Sequence, residues 1–278
     1  MPLPSVLICG TDDHATACAL RLFRAGYQPI LLSPDSPADL HHHRTFTRAV
    51  HLGSKTINAV RARTWSSAIE SELLPLNSKL DDFIRYATLN NEIPIVLVKE
   101  LKRGFYFPVN FALLFDEQTN QIAKTHIEEN VVRIALQDLT SEDAQYRIAT
   151  HPFYLGRVIY PFNQDEFVAS TYPDQKKRTI ISADREGVFQ TSKDIGQAVF
   201  KGDVIGTVDD LSLKSPLDGI ISGQLNSGLF VKPGVALIEI SDKSQAPNVR
   251  ILPVESFAIA GGVLEAVSYH WHQIHKIS

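Results

Sequence analysis

Through the first 160 residues, apolar runs of four to six positions alternate with stretches whose apolar residues recur at helical spacing. Ser5-Val-Leu-Ile-Cys9 is a compact run ending at Gly10. It is followed by Ala15, Ala19, Leu22 and Phe23 on one helical face, by Gly26, and by the run Gln28-Pro-Ile-Leu-Leu32. Strand, glycine turn, helix and strand within about thirty residues predict the opening βαβ unit of a doubly wound sheet. Helical spacing continues over 66–91, anchored by Leu73, Leu74, Leu80 and Phe83. Strands are expected at 93–98, where Pro94 suggests a strand start or an edge, and at 110–115 and 131–136. The run 155–160 then leads through a polar stretch, 163–178, towards a second part of different texture.

That second part is one pattern written twice. A shift of 32 carries Gly187, Gly196, Val199, Gly202 and Asp210 onto Gly219, Gly228, Val231, Gly234 and Asp242 without a gap. Each copy has short Val/Ile/Phe runs cornered by glycine, which suits half-buried strands. Two such copies predict a small flattened barrel that resembles the biotinyl/lipoyl hammerhead module. Carrier domains of that kind present a modified lysine at the hairpin between the copies. Here the hairpin reads Val208-Asp209-Asp210, and Lys214 falls on an expected strand, so a structural barrel is the reading. After it, Gly261-Gly262 predicts a tight turn opening a final helix. The fold class expected is therefore α/β: a Rossmann-like doubly wound sheet over 1–165, followed over 166–278 by a duplicated all-β barrel with its Gly-Gly turn and helix.

Composition agrees with two textures, since five of the fifteen glycines precede residue 187 and ten lie from 187 to 262. A net charge of −4 without a long basic run argues against nucleic acid. No apolar run reaches the length of a membrane span, and 1–5 lacks a basic leader, so a soluble, cytoplasmic protein is expected. Cys9 and Cys18 form no disulfide framework or Cys-x-x-Cys motif and read as small buried residues, with a sulfur or selenium relay as the alternative.

Candidate chemistry begins at Gly10-Thr-Asp-Asp-His14. Two carboxylates stand where a dinucleotide would place its phosphates, which argues against NAD or FAD. Asp12 or Asp13 can instead cap the helix. His14, flanked by carboxylates, is a candidate general base. His41-His-His43-Arg44 reads as a weakly basic loop, able to form an anion site with the Asp12–His14 turn at the carboxyl ends of the strands. His272 and His275 share a helical face at metal-ligand spacing, but no third ligand is placed near them, and no metal site is assigned.

Four blocks, in this order, resemble the accessory proteins of selenium-dependent molybdenum hydroxylase systems, the YqeB family. They are Val6-Leu-Ile-Cys-Gly-Thr-Asp-Asp-His-Ala-Thr16 with Arg21-Leu-Phe-Arg-Ala-Gly26; Arg44-Thr-Phe-Thr-Arg-Ala-Val50 with Gly53; Leu155-Gly-Arg-Val-Ile159; and the duplicated part ending in Ala260-Gly-Gly-Val-Leu-Glu-Ala266. The resemblance implies maturation of molybdenum hydroxylases by selenium or molybdenum-cofactor handling, through binding rather than turnover. Hydroxylase subunits or other maturation factors are the implied partners, and a homo-oligomer is open. Carried over residue by residue, Gly10, Asp13, Thr16, Arg44 and Arg157 are the ligand-binding candidates. Gly156, Gly261 and Gly262 are backbone requirements, and Glu265 also matches. The family's Gly-x-Gly-Pro-Gly loop has no counterpart at Ile134-Ala-Leu-Gln-Asp-Leu139, and its Glu-Thr-x-Arg-Gly-His run reads Ile148-Ala-Thr-His-Pro-Phe153. These departures keep a second reading open: a non-catalytic scaffold that has lost the ancestral pocket.

Overall fold

A computed structural model describes residues 4–138, 143–162, 178–243 and 249–275. The chain divides into two compact units. The first comprises Met1–Pro37, Thr45–Tyr172 and Pro253–Ser278, and the second Ala38–Arg44 with Pro173–Leu252.

The first unit is mixed α/β. Its strands are β1 (Ser5–Cys9), β2 (Gln28–Ser33), β3 (Ser54–Ile57), β4 (Val60–Thr64), β5 (Glu92–Leu97), β6 (Phe111–Leu114), β7 (Val132–Leu136), β8 (Tyr146–Ile148) and β9 (Val158–Ile159). Its helices are α1 (Asp13–Arg24), α2 (Thr47–Leu52), α3 (Trp65–Glu70), α4 (Leu80–Leu89), α5 (Glu117–Lys124) and α6 (Val254–His275). The nine strands form one sheet in the order β3-β4-β5-β2-β1-β6-β7-β8-β9. The inner strands are parallel, while β3 and β9 run antiparallel at the two edges. Alternate positions explain why these runs are apolar throughout. Leu7, Cys9, Ile30 and Leu32 pack with Leu80 and Phe83 of α4 and Ala123 of α5. Val6, Ile8 and Leu31 are equally inaccessible and point to the opposite layer, where α1 and α6 lie side by side.

Three expectations change here. The helical stretch 66–91 is two helices, because Glu72 takes a left-handed φ of 56° and Pro75 follows before α4 begins. Pro94 lies on an interior strand; it precedes Ile95, where pairing with β2 begins, so its missing N–H removes no bond from that ladder. Gly261 and Gly262 open no turn. They lie inside α6, which starts at Val254, and α6 groups by its contacts with the sheet unit rather than with the duplicated part. The boundary expected between 165 and 166 therefore omits a return of the chain. The expected polar link at 163–178 lies outside the described residues up to 177.

The second unit carries β10 (Arg178–Ser182), β11 (Gly187–Gln190), β12 (Ala198–Val199), β13 (Val204–Val208), β14 (Leu211–Lys214), β15 (Gly219–Gln224), β16 (Phe230–Val231) and β17 (Ala236–Ser241). They form two antiparallel sheets, β10-β17-β15-β12 and β14-β13-β11-β16. The 32-residue shift takes β10–β13 onto β14–β17, and with them every pairing: β11 with β13 becomes β15 with β17, and β11 with β16 becomes β15 with β12. Even the irregularity opposite Ser182 recurs opposite Lys214. Each sheet thus draws strands from both copies. Their inner positions, among them Phe189, Ile205, Val208, Ile221, Val231 and Ile240, make one core.

Candidate functional site

The order of the large sheet reverses at β1: the chain runs first to β2 on one side and later to β6 on the other. Ligand crevices in open α/β sheets form at the carboxyl ends of strands beside such a reversal. Here the crevice is bounded by 10–13, after β1, and by 115–117, after β6.

The first of these turns is held rigidly. Gly10 takes a φ of 113° and donates its N–H to the Leu32 carbonyl at 2.8 Å. Thr11 and Thr47 share a hydrogen bond between hydroxyls at 2.9 Å, and the Thr47 N–H donates to the Thr11 carbonyl at 3.2 Å. The Thr16 hydroxyl donates to the Thr11 carbonyl at 3.0 Å and accepts the Phe46 N–H at 2.9 Å. Thr16, named by resemblance as a ligand contact, is fully buried and spends its hydroxyl inside the protein.

Carboxylates line both turns. Asp12 caps α1, accepting the Ala15 N–H at 2.9 Å, and Asp13 occupies the first helical turn. Asp116 caps α5, accepting both the N–H and the hydroxyl of Thr119 at 2.8 Å. A Cβ on Gly10 would lie 3.5 Å from that of Asp116, so the two turns touch. Anions near helix N-termini are favourable, yet so many fixed negative charges repel a phosphate and favour a cationic group. Burial pushes the Cys9 thiol far above its ordinary range, and Asp116 pushes it further; burial, then Asp12, does the same at Cys18. Neither is a reactive thiolate. His14 holds its Nδ1 buried with no hydrogen-bond partner, so no carboxylate orients the ring through that atom as a general base requires.

Arg157 lies on the same edge. Ile148 at the end of β8 pairs with Val158, and the Ala149 N–H donates to the Arg157 carbonyl at 2.9 Å. β8 is three strands from β1, roughly 14 Å at the usual strand spacing. The Arg157 guanidinium is exposed and sits 5.8 Å from the Tyr154 ring centre. Gly156, at φ 80°, and Gly262 allow a close backbone approach between this corner and α6. Glu265 accepts the Tyr160 hydroxyl at 2.7 Å.

Other candidates lie elsewhere. Arg44 belongs to the second unit, where its guanidinium donates to the Val249 carbonyl at 3.4 Å. His41 and His43 also bond within that unit. His272 and His275 each place Nδ1 on a carbonyl of their own helix, Ser268 and Trp271, at 2.7 Å. Among the described residues, no three His, Cys, Asp or Glu side chains gather as metal ligands. The residue that sequence reading missed is Asp116. Its signal was available: an aspartate directly after an apolar strand with threonine three positions on is a helix start.

No protein-family model matches the chain. One relative is similar over nearly all of it. That relative is the uncharacterized protein YqeB of Escherichia coli K12. The identity is 29% over 279 residues, covering 96% of this chain and 48% of YqeB. The chain spans about half the length of the curated relative it matches. Among solved structures, the ectoine utilization protein EutE (DoeB) of Ruegeria pomeroyi is 12% identical, with 86% of this chain and 85% of that one covered and a TM-score of 0.24. A succinylglutamate desuccinylase from Silicibacter is 11% identical, with coverages of 86% and 85% and a TM-score of 0.23. Scores this low establish no common fold.

Proposed function

We propose that this protein is a cytoplasmic accessory factor of molybdenum hydroxylase maturation that binds a client rather than turning over a substrate, through the carboxyl edge of its large sheet. The role comes from the family resemblance, and similarity to YqeB along 96% of the chain supports that resemblance. The observation that carries binding rather than catalysis is the state of the polar groups at the reversal. Both thiols are buried with raised pKa values, and the Thr16 hydroxyl is committed internally. The carboxylates of Asp12 and Asp116 favour a basic protein surface over a phosphate-bearing cofactor. Taken in chain order, β5-β2-β1-β6-β7-β8 reads 3-2-1-4-5-6, which supports a Rossmann-like description of this unit. The exchange of strands between copies supports a hammerhead-like description of the other. At the hairpin where a carrier lysine would stand, Asp209 instead accepts the Val188 N–H at 2.8 Å.

The test is anaerobic co-purification of the tagged protein from its native cell, with retained proteins identified by mass and molybdenum and selenium by elemental analysis. Retention of hydroxylase subunits is expected. Asp13→Asn and Arg157→Gln together should lower it at least tenfold, the scale of about 1.4 kcal/mol, without changing thermal stability. Recovery of neither subunits nor either element would overturn the role. Subunit retention unaffected by the two substitutions would leave the role standing and move the contact away from this edge, favouring the scaffold reading.

A further inference from the structure

Residues Ala38–Arg44 fall in sequence between β2 and α2 of the first unit, yet group with the second. The hold is specific. The Gln224 N–H donates to the Leu40 carbonyl at 2.8 Å, and the Leu40 side chain packs on the core of the antiparallel sheets. Gly223 leaves room for His41, since a Cβ there would stand 3.0 Å from His41 Nε2. That nitrogen lies 3.5 Å from Glu239 Oε1, which accepts the Ser222 hydroxyl at 2.7 Å; Arg178 stands 3.6 Å from Oε2. His43 Nε2 bonds the Val249 carbonyl at 2.6 Å.

The two histidines meet different partners. His41 faces the Glu239 carboxylate. His43 faces a backbone carbonyl. A carbonyl can only accept, so the neutral ring donates from Nε2 and leaves Nδ1 bare. Nδ1 is buried and has no partner. A second proton would place a buried N–H there with no acceptor. Among the described residues, the charged and titratable groups facing the ring are Arg44 and His41 from its own segment and Arg250, next in sequence to Val249, with the His42 ring 6.1 Å away. None of them is a carboxylate.

We propose that Ala38–Arg44 is an acid-releasable strap, held on the antiparallel sheets by neutral His43 and detached when that ring takes up a proton. The strap runs directly into Thr45, Phe46 and Thr47, the last two of which close the Thr11–Thr16 turn of the first unit. Burial, ahead of the neighbouring cations, lowers the His43 pKa to about 4 from its ordinary 6.5. By linkage, opening of the strap is then favoured roughly 30-fold more at pH 5 than at pH 7.5.

Hydrogen exchange of the Gln224 amide reads the strap, and the Leu225 amide, which donates to Leu237 within the sheet, reads the sheet beneath it. After correction for intrinsic rates, Gln224 protection in the full chain should fall roughly 30-fold from pH 7.5 to 5 while Leu225 stays protected. His43→Gln keeps a donor for Val249 and cannot titrate, so its Gln224 protection should be independent of pH. Glu239→Gln should weaken protection at both pH values and leave the pH dependence in place. Should His43→Gln fail to fold, imidazole NMR of wild-type His43 must show a ring still neutral at pH 5.5, with Gln224 protection falling across the interval between the ordinary imidazole value of 6.5 and about 4; a ring that titrates at its ordinary value would overturn the strap. A pH-independent Gln224 amide, an equal fall in His43→Gln, or parallel loss at Leu225 would each overturn the strap.

Discussion

A Cβ placed on Gly262 would lie 2.0 Å from the carbonyl oxygen of Gly156, and one on Gly156 would lie 2.3 Å from that of Ala258. Two backbones therefore meet where neither can carry a side chain. Gly261, its neighbour in α6, would bring a Cβ only against the tip of the flexible Arg21 side chain, at 2.9 Å. The pair of substitutions separates these cases. Gly262→Ala should cost about 3 kcal/mol or more, because backbone must move. Gly261→Ala should change stability by less than about 1 kcal/mol, a gain in helix propensity being set against displacement of Arg21. Urea denaturation of both variants measures the difference. Sequence reading named both glycines as backbone requirements and placed them in a turn. Glycine is as rare in a helix as it is common in a turn, and only the opposing Gly156 corner, a hundred residues away in sequence, distinguishes the two uses.

At the scale of elements, the turn between β1 and α1 is a small network of threonines rather than a glycine cradle. Replacing Thr16 by valine keeps its shape, removes the donor to Thr11 and orphans the Phe46 N–H; a loss of about 2 kcal/mol is expected. Thr16→Ser keeps both bonds and should recover most of that stability. Thermal melts of the two variants decide it, and equal losses would mean that the methyl, not the hydroxyl, matters. The elements legible in the sequence were those with an apolar run of their own, β1, β2, β5, β6 and β7, and those fixed by the repeat. Strands of two or three residues such as β8 and β9 exist only through their neighbours, and no local pattern announces them. The same limit hid part of the candidate site. Asp13 was readable because it sits beside a glycine turn. Nothing before residue 146 reveals that Arg157 shares its edge of the sheet. Arg44 and Asp13 belong to one resemblance but to different units, which periodicity cannot show because the strap is too short to have any.

For the whole molecule, the ionisable groups set opposite pH limits on the two units. In the second, burial lowers His43 to about 4. Burial disfavours the Glu239 carboxylate too, but hydrogen bonds from His41 and Ser222 and the charge of Arg178 outweigh it and hold the pKa at about 2. Both folded values lie below the unfolded ones, so both contributions are present at neutral pH and are lost on acidification: His43 between about pH 6.5 and 4, then Glu239 between about 4.5 and 2. In the first unit burial raises Cys9, Cys18, Tyr146 and Tyr160. Their contributions are complete below the ordinary thiol and phenol ranges and disappear as pH rises from about 9 upward. Near neutral pH, His270, lowered by burial, adds some acid sensitivity to this unit, while Glu100, raised by burial, acts in the opposite sense. Calorimetry should therefore show two transitions that move separately. From pH 7 to 4.5 the second unit loses on the order of 2–3 kcal/mol through His43, a fall of roughly 10–20 °C for a unit of this size, while the first moves little. From pH 8 to 10.5 the order inverts. His43→Gln should abolish most of the acid shift and none of the alkaline one. A single transition falling at both extremes would show that the units do not melt independently and that the charges of one are felt by the other.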